Sequence, residues 1–255
     1  MILQKMELPD DIIQSEICPW LTIQALINLK CCSTVLGRLI TNKMATKAIM
    51  FQVIRRLSDV FGDLWSDFRN ELARSRALIS GSFLIQCILN ETWSWPESDI
   101  DIYASHVDDK YYFESHLTDK STNLDTWLLK NLIPTDHIGS TYTNSKHILG
   151  VRSFRFYKLV SGKRKSIDFY TYPIQSITLN FPTNKINDYI DSKFDFDICK
   201  NVFGVSENGV PYVQVCNLRQ ILERKIELTE KDVKRIDYKR RIKYENRGFM
   251  FVTQQ

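Results

Sequence analysis

LISGSFLIQCILNETWSWPESDIDIYAS, residues Leu78 to Ser105, is the stretch on which the reading of this chain turns. A short apolar lead-in, Leu78-Ile79-Ser80, meets Gly81-Ser82, and Phe83 to Leu89 then reads as the start of a buried helix. Beyond it comes Asp99-Ile100-Asp101-Ile102, two acids alternating with isoleucines in a strand-like run. Residues two apart on a strand share a face, so both carboxylates point the same way. Carboxylates in an apolar strand are costly unless a cation meets them. A divalent ion with oxygen ligands, Mg2+ or Mn2+, does this. A Gly-Ser at a helix N-terminus lets the backbone approach an anion and aims amides and a hydroxyl at it.

A third acid lies further on. SFRFYKLVSGKRKSIDFYTYP reads as a hairpin, with strands Ser153 to Val160 and Ser166 to Tyr172 around the turn Ser161-Gly162-Lys163. Asp168 interrupts its second strand as Ile167-Asp168-Phe169. If that strand lies beside Asp99 and Asp101, three carboxylates converge. The run Phe194-Asp195-Phe196-Asp197-Ile198-Cys199-Lys200 alternates in the same way. It is either an edge strand with a solvated face or the source of the third carboxylate in place of Asp168.

Together these pieces resemble the DNA-polymerase-β-type nucleotidyltransferase superfamily: Ile79 to Ser82, a spacer, Asp99 and Asp101 between apolar residues, then Asp168. The spacer is longer than the commonest one in the superfamily, and WSWPES reads as a loop within it. The phrasing is also similar to members from fungi and large DNA viruses. The resemblance covers about residues 75 to 215. It implies an α+β fold with a mixed sheet and helices. It implies that Gly81 and Ser82 hold a nucleoside triphosphate, and that Asp99 and Asp101 bind Mg2+ or Mn2+. Asp168 would complete the metal site and help deprotonate the acceptor. The reaction implied is transfer of a nucleoside monophosphate from an NTP to an acceptor that the sequence does not name. Members of the superfamily that kept the fold without the chemistry make a non-catalytic binding module the alternative.

Residues 8–45 carry apolar positions at helical spacing, among them Ile12, Ile17, Leu26, Leu29, Leu36 and Leu39, with breaks near Pro19 and Thr22. About three short helices are expected. Leu8-Pro9, the Ile-rich helix and Cys32-Ser33 before a third helix resemble an F-box. That resemblance implies binding of a Skp-type adaptor and a substrate-adaptor role in a ubiquitin ligase. The other reading is a small helical cap packed on the main domain. The expected organisation is a module over 1–45, a connecting helix over 46–76, kinked at Gly62, a nucleotidyltransferase-like domain over 77–216, and a basic helical region over 217–255.

The net charge of +4 is mild, and its excess sits in that last region. From Asn217 to Arg247 there are eleven Lys/Arg against six Asp/Glu. Helices are expected from Asn217 and from a cap at Thr229 to Gly248, with Lys225, Lys239, Arg240, Arg241, Lys243 and Arg247 as the basic set. Of these, Lys225 is the expected contact to the nucleotide's phosphates, by resemblance to helical regions that close over the nucleotide. Most of the set reads as solvated charge, so nucleic acid is not strongly indicated as a partner. Lys163-Arg164-Lys165 reads as a solvated turn, and His106, His116, His137 and His147 as isolated loop residues. Trp93 and Trp95 either stack on a base or pack their loop down. The six cysteines are scattered, without zinc spacing, and most read as buried free thiols. With no leader-like N-terminus and no apolar run of membrane length, an intracellular protein is expected.

Overall fold

The computed structural model describes residues 9, 12–93, 99–105, 123–134, 148–155, 157–160, 163–166, 174–179, 182–229 and 236–253. At the N-terminal end a π-helical turn, Ile13–Ile17, runs into a 3-10 turn, Cys18–Trp20. Helix α1 (Ile23–Cys32) starts at Thr22, whose hydroxyl accepts from the Ala25 amide at 3.1 Å. Helix α2 (Thr34–Leu39) starts at Ser33, which accepts from the Leu36 amide. Both helices therefore start at side-chain caps, while the break near Pro19 lies in the 3-10 turn. Cys18, Ile23 and Leu26 turn inward and belong to the large core that also holds Phe68 and Phe83. The segment packs as a helical cap.

Helix α3 (Asn42–Phe61) buries the stripe Ile49, Val53, Leu57 and Phe61. The kink expected at Gly62 is a full break. Gly62 takes φ +53°, a region open to glycine, and a 3-10 turn, Gly62–Leu64, leads into helix α4 (Trp65–Ser75). Phe61 and Phe68 stack across the break, so the stripe continues through it.

The strands follow in the order β1 (Leu78–Ser80), β2 (Ile100–Ser105), β3 (Ile133–Pro134), β4 (Ile148–Arg155), β5 (Tyr157–Val160), β6 (Lys163–Ser166), β7 (Ile174–Leu179), β8 (Val202–Val205) and β9 (Pro211–Gln214). Helix α5 (Ser82–Leu89) follows β1, α6 (Asn123–Asn131) precedes β3, and α7 (Ile186–Lys193) follows β7. Seven strands form one sheet in the order β3-β4-β7-β2-β1-β8-β9. β2 and β7 pair in parallel, and the other neighbours are antiparallel. The molecule is thus α+β with a mixed sheet. Ile100, Ile102 and Ala104 of β2 face the large core, which Phe83, Leu84 and Phe68 share. Tyr103 lies in a second cluster with Ile186 and Ile190 of α7. Alternation along β2 therefore assigns its isoleucines to one layer and Asp101 with Tyr103 to the other.

Three expectations are corrected. The hairpin exists as β5 and β6, with Val160 opposite Lys163, so its second strand starts earlier than expected and Lys163-Arg164-Lys165 lies in a strand. The neighbour of β2 is β7, not the hairpin strand, and Asp168 lies outside the described residues. Residues 194–200 are not a strand. Asp197–Cys199 form a 3-10 turn, and Cys199 is buried with Phe196 and Ile198 rather than exposed with the acids.

The C-terminal region also departs from an all-helical reading. After the short helix α8 (Leu218–Leu222), strand β10 (Lys225–Leu228) pairs in parallel with β11 (Met250–Thr253), and helix α9 (Tyr238–Glu245) lies between them in sequence. Asp237 caps α9, accepting from the Lys239 amide at 3.0 Å. Cys18, Cys87 and Cys199 are buried, whereas Cys31 and Cys32 are exposed at the end of α1. Among the described residues no helix is long and apolar enough to cross a membrane.

Candidate active site

β1 ends at Ser80, whose buried hydroxyl donates to the Asn201 carbonyl at 2.7 Å. This bond ties β1 to the chain entering β8. Ser80 stands opposite Asp101 in the antiparallel β1–β2 ladder. The next residue, Gly81, turns the chain into α5 with φ +85° and ψ −152°. Only glycine adopts that backbone conformation without strain. A Cβ on Gly81 would stand 2.9 Å from Asp101 Oδ2. The Gly81 backbone therefore lies directly against the Asp101 carboxylate. Ser82 follows as the first residue of α5, buried, its hydroxyl without a hydrogen-bond partner among the described residues.

Asp99 stands just ahead of β2, and Asp101 is its second residue. The two share a face, as their spacing predicts. Asp101 Oδ1 is buried and has no hydrogen-bond partner among the described residues. Burial raises the pKa of Asp99. Burial raises that of Asp101 well above the usual carboxylate range, and the negative charge of Asp99 raises it further. Both acids are opposed by cations from one quarter: Lys243 and Arg240 of α9 pull both pKa values back down, and Arg247 also acts on Asp99. Lys243 itself is held below the usual ammonium range, first by burial and then by the charge of Arg247.

The cations are held in place. Arg247 is buried, with its guanidinium 4.0 Å from the centre of the Trp93 ring. The Trp93 amide donates to Gln86 Oε1 at 2.8 Å and its indole N–H to Glu91 Oε2 at 3.0 Å. Glu91 forms an ion pair with Arg224. Trp93 thus packs its loop down; Trp95 and the four histidines lie outside the described residues. Arg240 pairs with Asp195 at 2.8 Å and lies over the Phe196 ring at 5.9 Å. Asp197 pairs with Lys200 at 2.6 Å. Lys225 sits in β10 with its ammonium 3.0 Å from Glu223 Oε2. The charges felt at Asp99 and Asp101 are those of the α9 residues and Arg247 instead.

Asp101 opens into a small cleft at the protein surface. Tyr103, Tyr189, Lys193, Phe194 and Arg240 line it with Asp101. Tyr189 and Lys193 were not singled out in the sequence. They lie four residues apart on α7, next to the buried pair Ile186 and Ile190. That amphipathic spacing is the signal that would have found them. A further carboxylate, Asp125 of α6, is fully buried and accepts from Ser176 at 2.5 Å and Thr178 at 3.0 Å. It anchors α6 to β7.

The donor set fits a magnesium-like ion. It is made of carboxylate oxygens, it includes a buried oxygen without a partner among the described residues, and its two acids repel each other. Mg2+ is commonly held by one or two carboxylates together with substrate phosphates rather than by an all-protein cage. Among the described residues no group of three potential ligands gathers, so the described protein ligands would be Asp99 and Asp101.

Comparison with known proteins gives one family and one distant structural likeness. The model of a family described as Gad2, Gabija anti-defense 2 family protein, matches residues 50–223. The match starts beyond the F-box-like segment. Among solved structures, the apo form I of a CCA-adding enzyme is similar at a TM-score of 0.38 and 13% identity. The similarity covers 67% of this chain and 35% of that one, so this chain spans about a third of its length. No curated protein matches the chain.

Proposed function

The chain belongs to the Gabija anti-defense 2 family, and from that premise we propose that it is a metal-dependent nucleotidyltransferase with a polymerase-β-type site. The observation that carries this reading is the contact between the Gly81 turn and the Asp101 carboxylate, with Asp101 Oδ1 left without a partner. A glycine turn at a helix start brings backbone amides to a phosphate, and the adjacent carboxylates take the metal that accompanies it. Asp99 and Asp101 would hold Mg2+ or Mn2+, while Gly81 and Ser82 would hold the NTP phosphates. Asp168 remains our choice for the third acid. The family description, anti-defense against Gabija, supplies the biological setting we propose for the transfer.

In the reaction the acceptor oxygen attacks the α-phosphorus of the NTP. The bond from the α-phosphorus to the bridging oxygen breaks and pyrophosphate leaves. The acceptor proton passes to a carboxylate, with Asp168 in that role. The bound ion supplies neutralisation of the phosphoryl charge and acidification of the attacking hydroxyl. Asp99 and Asp101 would hold the ion beside the triphosphate. Lys243 and Arg247 temper the repulsion between the two acids. The test is transfer of label from an α-phosphate-labelled NTP to an acceptor fraction from the target cell. Wild type transfers label and releases pyrophosphate, and Asp101→Ala does neither. Equal transfer by the variant would overturn the reading.

A further inference from the structure

The cleft beside Asp101 is lined by two cations as well as by that carboxylate. Arg240 and Lys193 come from different helices, α9 and α7, and both line the cleft with Asp101. Arg240 is fixed on two sides, by the Asp195 carboxylate at 2.8 Å and by the Phe196 ring at 5.9 Å. Its charge reaches both Asp99 and Asp101. Lys193 is the last residue of α7, where the helix C-terminus favours a cation. Between these cations the cleft is aromatic: the Tyr103 ring lies 6.3 Å from Tyr189 and 5.9 Å from Phe194, centre to centre. Two cations flanking a metal-type carboxylate, beside an aromatic wall, match a ligand with a chain of negative charges and a planar ring.

We propose that Arg240 and Lys193 contact the polyphosphate of a nucleotide bound in this cleft, and that Asp195 is a positioning residue that aims Arg240 at it. This rests on the nucleotidyltransferase reading above. It gives Asp195 a role other than metal binding. It also assigns to Arg240 and Lys193 the phosphate contact expected at Lys225.

Calorimetry in Mg2+ with ATP, AMP and inorganic tripolyphosphate tests the proposal. Wild type binds ATP and tripolyphosphate more tightly than AMP. Arg240→Ala and Lys193→Ala each weaken ATP and tripolyphosphate about tenfold or more, and AMP less. Arg240→Lys recovers part of the loss. Asp195→Asn weakens ATP less than Arg240→Ala and adds nothing on top of it, because partners that act through one contact are not additive. These side chains lie at least partly in solvent, so the variants keep the fold. ATP binding that survives both alanine variants but is lost in Asp101→Ala overturns the proposal and leaves the nucleotidyltransferase reading standing. An Asp195→Asn loss that persists without Arg240 overturns the positioning role. A wild type that binds neither ATP nor tripolyphosphate overturns both.

Discussion

Gly81 and Asp101 are in direct contact: a Cβ on Gly81 would fall 2.9 Å from Asp101 Oδ2 and 3.8 Å from Cγ. The turn between β1 and α5 therefore tolerates no side chain. Gly81→Ala also places a non-glycine residue at φ +85° and ψ −152°. The expected cost is about 1–3 kcal/mol of stability from the backbone alone. The variant should unfold at lower denaturant in a urea titration. What stays folded should bind nucleotide more weakly, because the added carbon displaces the carboxylate proposed to hold the metal.

Stability and function should pull apart at Asp101. Burial and the charge of Asp99 raise its pKa, so the folded state holds this proton more tightly than the unfolded chain does. The resulting stability is complete below the unfolded value of about 3.9 and is lost as pH rises through the raised folded value. At neutral pH that stability is diminished, and the buried acid pair is a burden on the metal-free fold. Asp101→Asn should therefore melt higher than wild type at neutral pH without metal, with the gap closing towards pH 4. The same variant should show no transfer.

Divalent metal should reverse that burden. Mg2+ added to wild type at neutral pH should raise the melting temperature, by about 2.7 kcal/mol of stabilisation at a hundredfold excess over Kd. Binding needs both carboxylates deprotonated, so it releases protons and weakens as pH falls. Titrations in buffers of different ionisation enthalpy would read those protons. In Asp99→Asn/Asp101→Asn the metal-dependent shift should vanish.

Asp125 offers a contrast in kind. Its carboxylate is fully buried, but it accepts from Ser176 and Thr178 and anchors α6. Asp125→Ala should cost about 1–3 kcal/mol for each hydroxyl left without a partner. Mg2+-dependent nucleotide affinity of the folded fraction should stay at the wild-type value, measured by calorimetry below the melting transition.

Much of this site was legible because its signals are local. Asp99 and Asp101 break an apolar strand at a spacing of two, and a strand turns that spacing into a shared face. Gly81-Ser82 marks a strand-to-helix turn that few other residues could make. Signals that depend on distant partners were not legible. Lys225-Ile226-Glu227-Leu228 suits a helix or a strand equally, and parallel pairing with residues 250–253 decides it. The alternation from Phe194 to Cys199 looked like a strand because Asp195 and Asp197 are polar, yet their true partners are Arg240 and Lys200. Arg240 and Lys193, not Lys225, are the basic residues that line the cleft among the described residues. Asp168, the acid expected from sequence to complete the set, lies outside the described residues.

The most direct test is nucleotide binding by calorimetry. ATP, GTP, CTP and UTP would each be titrated, with and without Mg2+, into wild type and into Asp99→Ala/Asp101→Ala. The account predicts Mg2+-dependent binding of at least one nucleotide to wild type and none to the double variant. Absence of binding to wild type, or equal binding to both proteins, would contradict it.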